Sequence, residues 1–153
     1  MSDAHSVSPL TCHLGYWMRM VSNQVSHRFS VKVEAHGVTV AEWVVMRELL
    51  RLGEVSPSQL AEVMGMTRGA ISKLIERLVI KRFIRRTSAG KDKRCQSITL
   101  TNSGQALVPV LARLADQNDE EFFGHLTIEQ RSALLATLQQ VARLREQNVV
   151  PID

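Results

Sequence analysis

Apolar residues recur at Leu14, Met18, Val21, Val25 and Phe29, the spacing of one helical face, and predict a first helix from Leu14 to about Val33. Tyr16, Trp17 and Met20 widen that face, so this helix is expected to have two packing partners. Thr39-Val40-Ala41-Glu42 has the capping-box pattern, in which a hydroxyl and a carboxylate satisfy the first free amides, and opens a second helix ending at Gly53. Ser56-Pro57-Ser58-Gln59 opens a short third helix ending at Met64-Gly65, with proline where its missing N–H costs nothing. Thr67 caps a fourth helix whose Ile71, Leu74, Ile75, Leu78 and Val79 fall within an arc of about 140°, taking 100° per residue, and must face the core.

The period then changes. Phe83 to Ser88 and Gln96 to Leu100 are β-like runs, the second alternating apolar Ile98 and Leu100 with Ser97 and Thr99, and the polar stretch from Ala89 to Arg94 joins them as a hairpin. Thr101-Asn102 starts a long helix through Leu107, Val110, Leu111, Leu114 and Phe122, in which Pro109 is expected to kink the chain or remove one hydrogen bond. Thr127-Ile128-Glu129-Gln130 caps a last helix through Leu134, Leu135, Leu138, Val141 and Val149. The order helix, helix, helix, turn, helix, hairpin, helix, helix predicts a mainly α domain with a small β-hairpin (α+β), built around a helix-turn-helix. The end helices, apolar and distant in sequence from the central unit, suit a homodimer interface.

Composition agrees with packed helices. With 153 residues, 44% of them apolar, and only 5% aromatic, the chain can build one core from Leu, Val, Ile, Ala and Met. The two cysteines make no disulfide framework and fit a reducing cytosol. The N-terminus has no basic region followed by an apolar run, so no signal peptide is expected. The longest apolar run, Ala106 to Ala112, falls far short of the roughly 20 residues a membrane span needs. A cytoplasmic protein without a membrane partner is expected.

Charge sharpens the picture more than its total of +4 suggests, because it is segregated. Residues 68–94 hold ten basic side chains (Arg68, Lys73, Arg77, Lys81, Arg82, Arg85, Arg86, Lys91, Lys93, Arg94) against Glu76 and Asp92, a net of 10 − 2 = +8, which leaves −4 for the rest. A dense basic block on an otherwise acidic chain predicts a polyanion as partner, here double-stranded DNA. A helix seated in the major groove shows small or hydrogen-bonding residues on its outer face. Gly69, Ala70, Ser72, Lys73, Glu76 and Arg77 point away from the core arc, with Arg68 in the first turn. Gly69 suits a place where backbone must come close to a partner, or is simply a surface glycine near a helix end. Each cation contacts a phosphate more readily than a base edge. Ser56, Pro57 and Thr67 join the interface as helix starts, and Lys91, Lys93 and Arg94 at the hairpin tip are placed along the minor groove. Asp92, two residues from Arg94, holds that arginine extended.

Leu60-Ala61-x-x-Met64-Gly65, the helix from Thr67 to Lys81, Asp92-Lys93-Arg94 and Leu100-Thr101-Asn102-Ser103-Gly104 together resemble the MarR family of winged helix-turn-helix regulators, over residues 13 to 145. The resemblance implies one domain over 1–153, with dimerisation helices in 10–36 and 102–150 and a winged helix-turn-helix DNA-binding lobe in 38–100. It implies a homodimeric, sequence-specific regulator, most simply a repressor, on a pseudo-palindromic operator. Asp92 and Arg94 match the pair that this family forms in its wing. One position departs: where the family usually has a glycine as left-handed cap after the lysine ending the recognition helix, this chain has Arg82. Either that helix ends differently or Arg82 takes a strained conformation.

The resemblance also implies a small aromatic or phenolic, often acidic, ligand that lowers DNA affinity. Tyr16, Trp17, Met20, His27 and Trp43 are candidates for an apolar slot with polar tips, and Arg19 for a carboxylate partner. Such apolar and aromatic side chains are more often simply core, and Arg19 could equally be surface. Cys12, four residues before Tyr16, resembles the start of the hydroperoxide-sensing members of the family and offers a thiol-based redox alternative, but Tyr16 is the chain's only tyrosine and those sensors use more. The five histidines are scattered without metal or catalytic spacing, so no enzyme activity, metal or cofactor is expected. A winged helix can also act purely as a protein-interaction module, a role that has no need of a +8 block.

Overall fold

The computed structural model describes residues 7–88 and 96–145. A short 3-10 turn, Leu10–Cys12, leads into α1 (Leu14–Glu34), followed by α2 (Val40–Leu52), α3 (Pro57–Met64), α4 (Arg68–Ile80), the antiparallel strands β1 (Ile84–Ser88) and β2 (Gln96–Leu100), α5 (Asn102–Phe123) and α6 (Ile128–Leu144). The fold is a mainly helical winged helix-turn-helix flanked by three longer helices. Capping boxes stand at Thr39, Ser56 and Thr127, and the hydroxyls of Thr67 and Thr101 accept from Ala70 and Gly104. Local sequence therefore sets where most helices begin. Pro109 does not end α5; it lies on the exposed side, and only the N–H it lacks is lost from the ladder. Val149, expected on the last helix, lies outside the described residues.

The core sits in the central lobe. Val45, Met46 and Leu49 of α2, Leu60 and Met64 of α3, Ile71, Ile75 and Leu78 of α4, Ile84 and Ile98 of the hairpin, and Val108 and Leu111 of α5 are buried against one another. The predicted core arc of α4 is buried except Val79, which packs against the cluster from its edge. Val55, just before α3, pairs with Ile98 through two backbone hydrogen bonds of 3.2 and 2.8 Å. The wing thus gains a third, one-residue edge from the helix-turn-helix side.

The two ends of the chain contribute little to that core. α1 buries only Val33 and α6 buries nothing, while Leu14, Trp17, Met18 and Val21 of α1 and Leu135, Leu138 and Val141 of α6 are exposed. Soluble chains rarely leave so many large apolar side chains together in water. Tyr16 and Trp17 meet edge to face at 5.4 Å, and the Trp17 indole donates to the carbonyl of Thr11, folding the 3-10 turn back onto α1.

Candidate nucleic-acid interface

α4 is held at its C-terminal end by a joint that a glycine would make without strain. Lys81 closes the helix and Arg82 follows at φ 65°, in the left-handed region. Arg82 N–H donates to the Val79 carbonyl and Phe83 N–H to the Leu78 carbonyl, the two bonds of a Schellman cap. Of the two outcomes expected for Arg82, the strained conformation is the one found. Its carbonyl accepts from the hydroxyls of Thr101 (2.7 Å) and Ser103 (3.0 Å), and the Phe83 carbonyl accepts from Thr101 N–H. The hinge between α4 and the wing is therefore fastened to the start of α5. Gly104 is buried there because there is no room for more: an added Cβ would lie 2.2 Å from the Phe83 carbonyl oxygen.

A second tie reaches the same end of α4 from α2. Glu42 is 1% exposed; its carboxylate accepts from Thr39 N–H in the capping box and from the Lys81 ammonium at 2.7 Å. The box itself is legible in the sequence. The ion pair across 39 positions is not, because no local pattern marks it. The wing root is pinned from the other side: the hydroxyls of Thr87 and Ser97, facing each other across the hairpin, both donate to Glu54. Those bonds, Ser97's first and Thr87's second, hold the Glu54 carboxyl below its ordinary value, with Arg85 adding a smaller attraction.

So fastened, α4 presents the face the sequence assigned to it. Arg68, Gly69, Ser72, Lys73, Glu76 and Arg77 are exposed and Ala70 half-buried, while Arg85 and Arg86 extend the basic surface onto β1. Nothing within 4 Å of Gly69 would obstruct a side chain there, so its lack of one is not dictated by packing inside the subunit. Thr67 is exposed at the helix start; Ser56 and Pro57 are half-buried at the start of α3, where Ser56 is occupied in its capping box. Among the described residues, none of Arg68, Lys73, Arg77, Arg85 and Arg86 is engaged in an ion pair. These cations remain free for a partner. Lys91, Asp92, Lys93 and Arg94, assigned to the wing tip, lie outside the described residues.

Between the basic lobe and the long helices lies a cavity of about 710 Å³. α1 contributes Val25, His27 and Phe29, the start of α2 Thr39, Val40 and Ala41, α5 Ala115, Asn118 and Asp119, and α4 Arg77. Asn118 is buried, donates to the Val25 carbonyl and accepts from Lys32, which also pairs with Glu121 at 2.8 Å. This polar seam clamps α1 to α5 beneath the cavity, and the Lys32 ammonium holds the Glu121 carboxyl below its ordinary value.

The structure redistributes the side chains expected around a ligand. Of Tyr16, Trp17, Arg19, Met20, His27 and Trp43, only His27 lines this cavity. Trp43 is buried behind it, edge to face with Phe29 at 6.4 Å. Tyr16, Trp17, Arg19 and Met20 lie at least five residues before the first of α1's cavity residues, Val25, and Trp17 instead borders a separate apolar groove with Leu14, Met18, Phe123, Leu134 and Leu138. Residue type suggested those four; helix length separates them from the cavity. Asn118 and Asp119, polar groups that do converge there, depend on how α5 packs and carry no sequence signal, while Arg77 was legible only as an outward cation of α4. Cys12 is exposed and ends the 3-10 turn, one residue before the cap of α1 rather than inside that helix. Among the described residues no cluster of His, Cys, Asp and Glu could hold a metal ion, and no helix is long and apolar enough to cross a membrane.

The chain has relatives of the same construction. The MarR family profile matches residues 36–94, a span that holds α2, α3, α4 and β1. The multiple antibiotic resistance protein MarR of Escherichia coli (strain K12) is 25% identical over 129 residues, covering 84% of this chain and 90% of its own. The HTH-type transcriptional repressor MdtR of Bacillus subtilis (strain 168) is 35% identical over 72 residues, 47% of this chain and 46% of its own. A crystal structure of a mutant E. coli MarR complexed with operator DNA superposes with a TM-score of 0.73 at 24% identity, over 84% of this chain and 92% of that one. BpsR of Bordetella bronchiseptica, whose structure is described as showing regulation of DNA binding by 6-hydroxynicotinic acid, superposes with a TM-score of 0.75 at 23% identity, over 90% of this chain and 98% of that one. With the helix-turn-helix, the paired strands and the flanking helices all in place, the chain is similar in sequence and in fold to the MarR family, whose profile it matches over residues 36–94.

Proposed function

We propose that the protein is a homodimeric DNA-binding regulator that represses by occupying a two-fold operator and releases it when a small aromatic acid binds. The observation that carries this reading is α4: a helix fastened at its C-terminal end to α2 and α5, whose outer face offers Arg68, Lys73 and Arg77, unpaired among the described residues, around the open Gly69. The exposed apolar rows of α1 and α6 support a second copy as the missing cover, since a two-fold dimer buries the same patch from both subunits. The cavity supports a ligand of one or two rings, its apolar walls and few polar groups being typical of such sites. MdtR is named a repressor and BpsR is titled for regulation by an aromatic acid, and this reading extends both to the present chain.

Duplex binding measured against salt tests it. A chain that neutralises phosphates loses affinity steeply as salt rises, with a slope of about 0.9 per phosphate contacted. Sedimentation of the free protein is expected to show a dimer. A flat salt dependence would remove DNA as the partner.

A further inference from the structure

Of the ten basic side chains in residues 68–94, Lys81 is set apart by its partner. It caps the C-terminal end of α4, and its ammonium lies 2.7 Å from the carboxylate of Glu42, whose side chain is 1% exposed against 34% for Lys81. Arg68, Lys73 and Arg77 of the same helix have no carboxylate within ion-pair distance among the described residues. Glu42 in turn accepts from Thr39 N–H, so the pair joins the first turn of α2 to the end of α4.

A buried ion pair adds little net stability, because desolvation offsets most of the attraction. It does impose distance and direction, since a charge-assisted hydrogen bond tolerates less sliding than an apolar contact. The lever it controls is long. From Gly69 to Lys81 is 81 − 69 = 12 residues, about 18 Å of helix at 1.5 Å each, so a swing of about 5° about the pinned end moves the backbone at Gly69 by about 1.5 Å. Hydrogen bonds to base edges fail over about 0.5 Å, whereas long lysine and arginine stems follow a phosphate over such a shift.

We infer that Glu42 and Lys81 form a specificity-determining pair: neither contacts DNA, and together they set the angle at which α4 meets the bases. Glu42 is a positioning residue, and Lys81 belongs to the framework rather than to the phosphate-binding surface. The inference rests on the function proposed above and goes beyond it by separating cations that bind DNA from one that aims the helix. Loss of the pair therefore lowers discrimination between sequences and leaves sequence-independent binding as it was.

Duplexes selected from a random pool by the wild-type protein supply the specific probe and an unselected duplex the non-specific one, with fluorescence anisotropy giving the ratio of affinities. The double variant Glu42→Gln/Lys81→Met removes both charges together, and glutamine still serves the capping box. Its ratio is expected to fall about tenfold, the order of one weakened base contact, with the salt slope on the unselected duplex unchanged. Glu42→Gln alone is expected to fall in the same direction and carries the test if the double variant does not fold. Lys81→Arg keeps the pair and is expected to keep the ratio. Val79→Ala loosens α4 at the edge of the core without touching either charge, and is expected to keep it as well. An unchanged ratio in the charge variants overturns the inference, as does an equal fall in Val79→Ala, which would make the effect one of stability alone. A smaller salt slope in the double variant also overturns it, because Lys81 would then be a phosphate contact. A wild type that selects no duplex, or whose binding ignores salt, would instead overturn the function on which the inference rests.

Discussion

Gly104→Ala sets two effects of opposite sign against each other. Gly104 lies in the first turn of α5, where alanine is favoured over glycine by up to about 1 kcal/mol on helix propensity. Packing opposes this. The new methyl would lie 2.2 Å from the Phe83 carbonyl oxygen and 3.2 Å from Leu100, whereas carbon and oxygen settle at roughly 3.3 Å or more. The hinge must then retreat by about 1 Å, and three bonds fasten it: Thr101 N–H to Phe83, and the Thr101 and Ser103 hydroxyls to Arg82. Losing one or two of them costs about 1 kcal/mol each, and the overpacking itself about 1–3 kcal/mol. After subtracting the propensity gain, the net loss is about 2 kcal/mol. Urea unfolding at fixed protomer concentration measures it, since a dimer's apparent stability depends on concentration; the corresponding drop in Tm is about 4–8 °C. Gly69→Ala is the comparator, because open space surrounds that position and propensity acts alone, so stability should hold or rise slightly. If Gly104→Ala proves as stable as wild type, the hinge is not clamped as described.

Three further perturbations address other joints. Arg82→Gly relieves a left-handed conformation that costs an L-residue about 1 kcal/mol, offset by glycine's greater unfolded-state entropy, for a net gain near 0.5 kcal/mol by urea unfolding, while Arg82→Val should lose about 1 kcal/mol. Glu54 has a folded-state pKa held below its unfolded value near 4.5, so its contribution is present above that pH and is lost as pH falls through the lower folded value. In acid titrations followed by circular dichroism, Glu54→Gln should therefore lose less stability than wild type as pH falls below about 4.5, and identical titrations would show that the Thr87 and Ser97 bonds do not matter. Leu138→Glu places a charge in the apolar row of α6, 39% exposed in the single subunit, and should give monomers in sedimentation with far-UV spectra unchanged.

The parts of this molecule written locally were legible in the chain. Thr39, Ser56, Thr67, Thr101 and Thr127 announce helix starts because a cap bonds an amide two or three residues on, and the α4 arc follows from a 100° step. Contacts between distant segments were not legible. Glu42 shows its capping role but not Lys81; Lys32, Asn118 and Glu121 look like ordinary surface positions until α1 lies on α5. Of the ligand candidates chosen by aromatic or Met character, Tyr16, Trp17 and Met20 stand on α1 away from the cavity, since helix rise, not side-chain type, determines which residues reach it. Arg77 was visible as an outward cation; its second exposure, to the cavity, belongs to tertiary packing.

The Val55–Ile98 bridge bears on how such a lobe can change over evolutionary time. Its two bonds join backbone to backbone, so they ask nothing of the side chains at the bridge beyond an apolar fit. With the root of the wing secured in this way, the side chains at Val55 and Ile98 can be exchanged for other apolar ones without loss of the bridge. The framework that carries β1 and β2 can then stay unchanged while the sequence around it drifts.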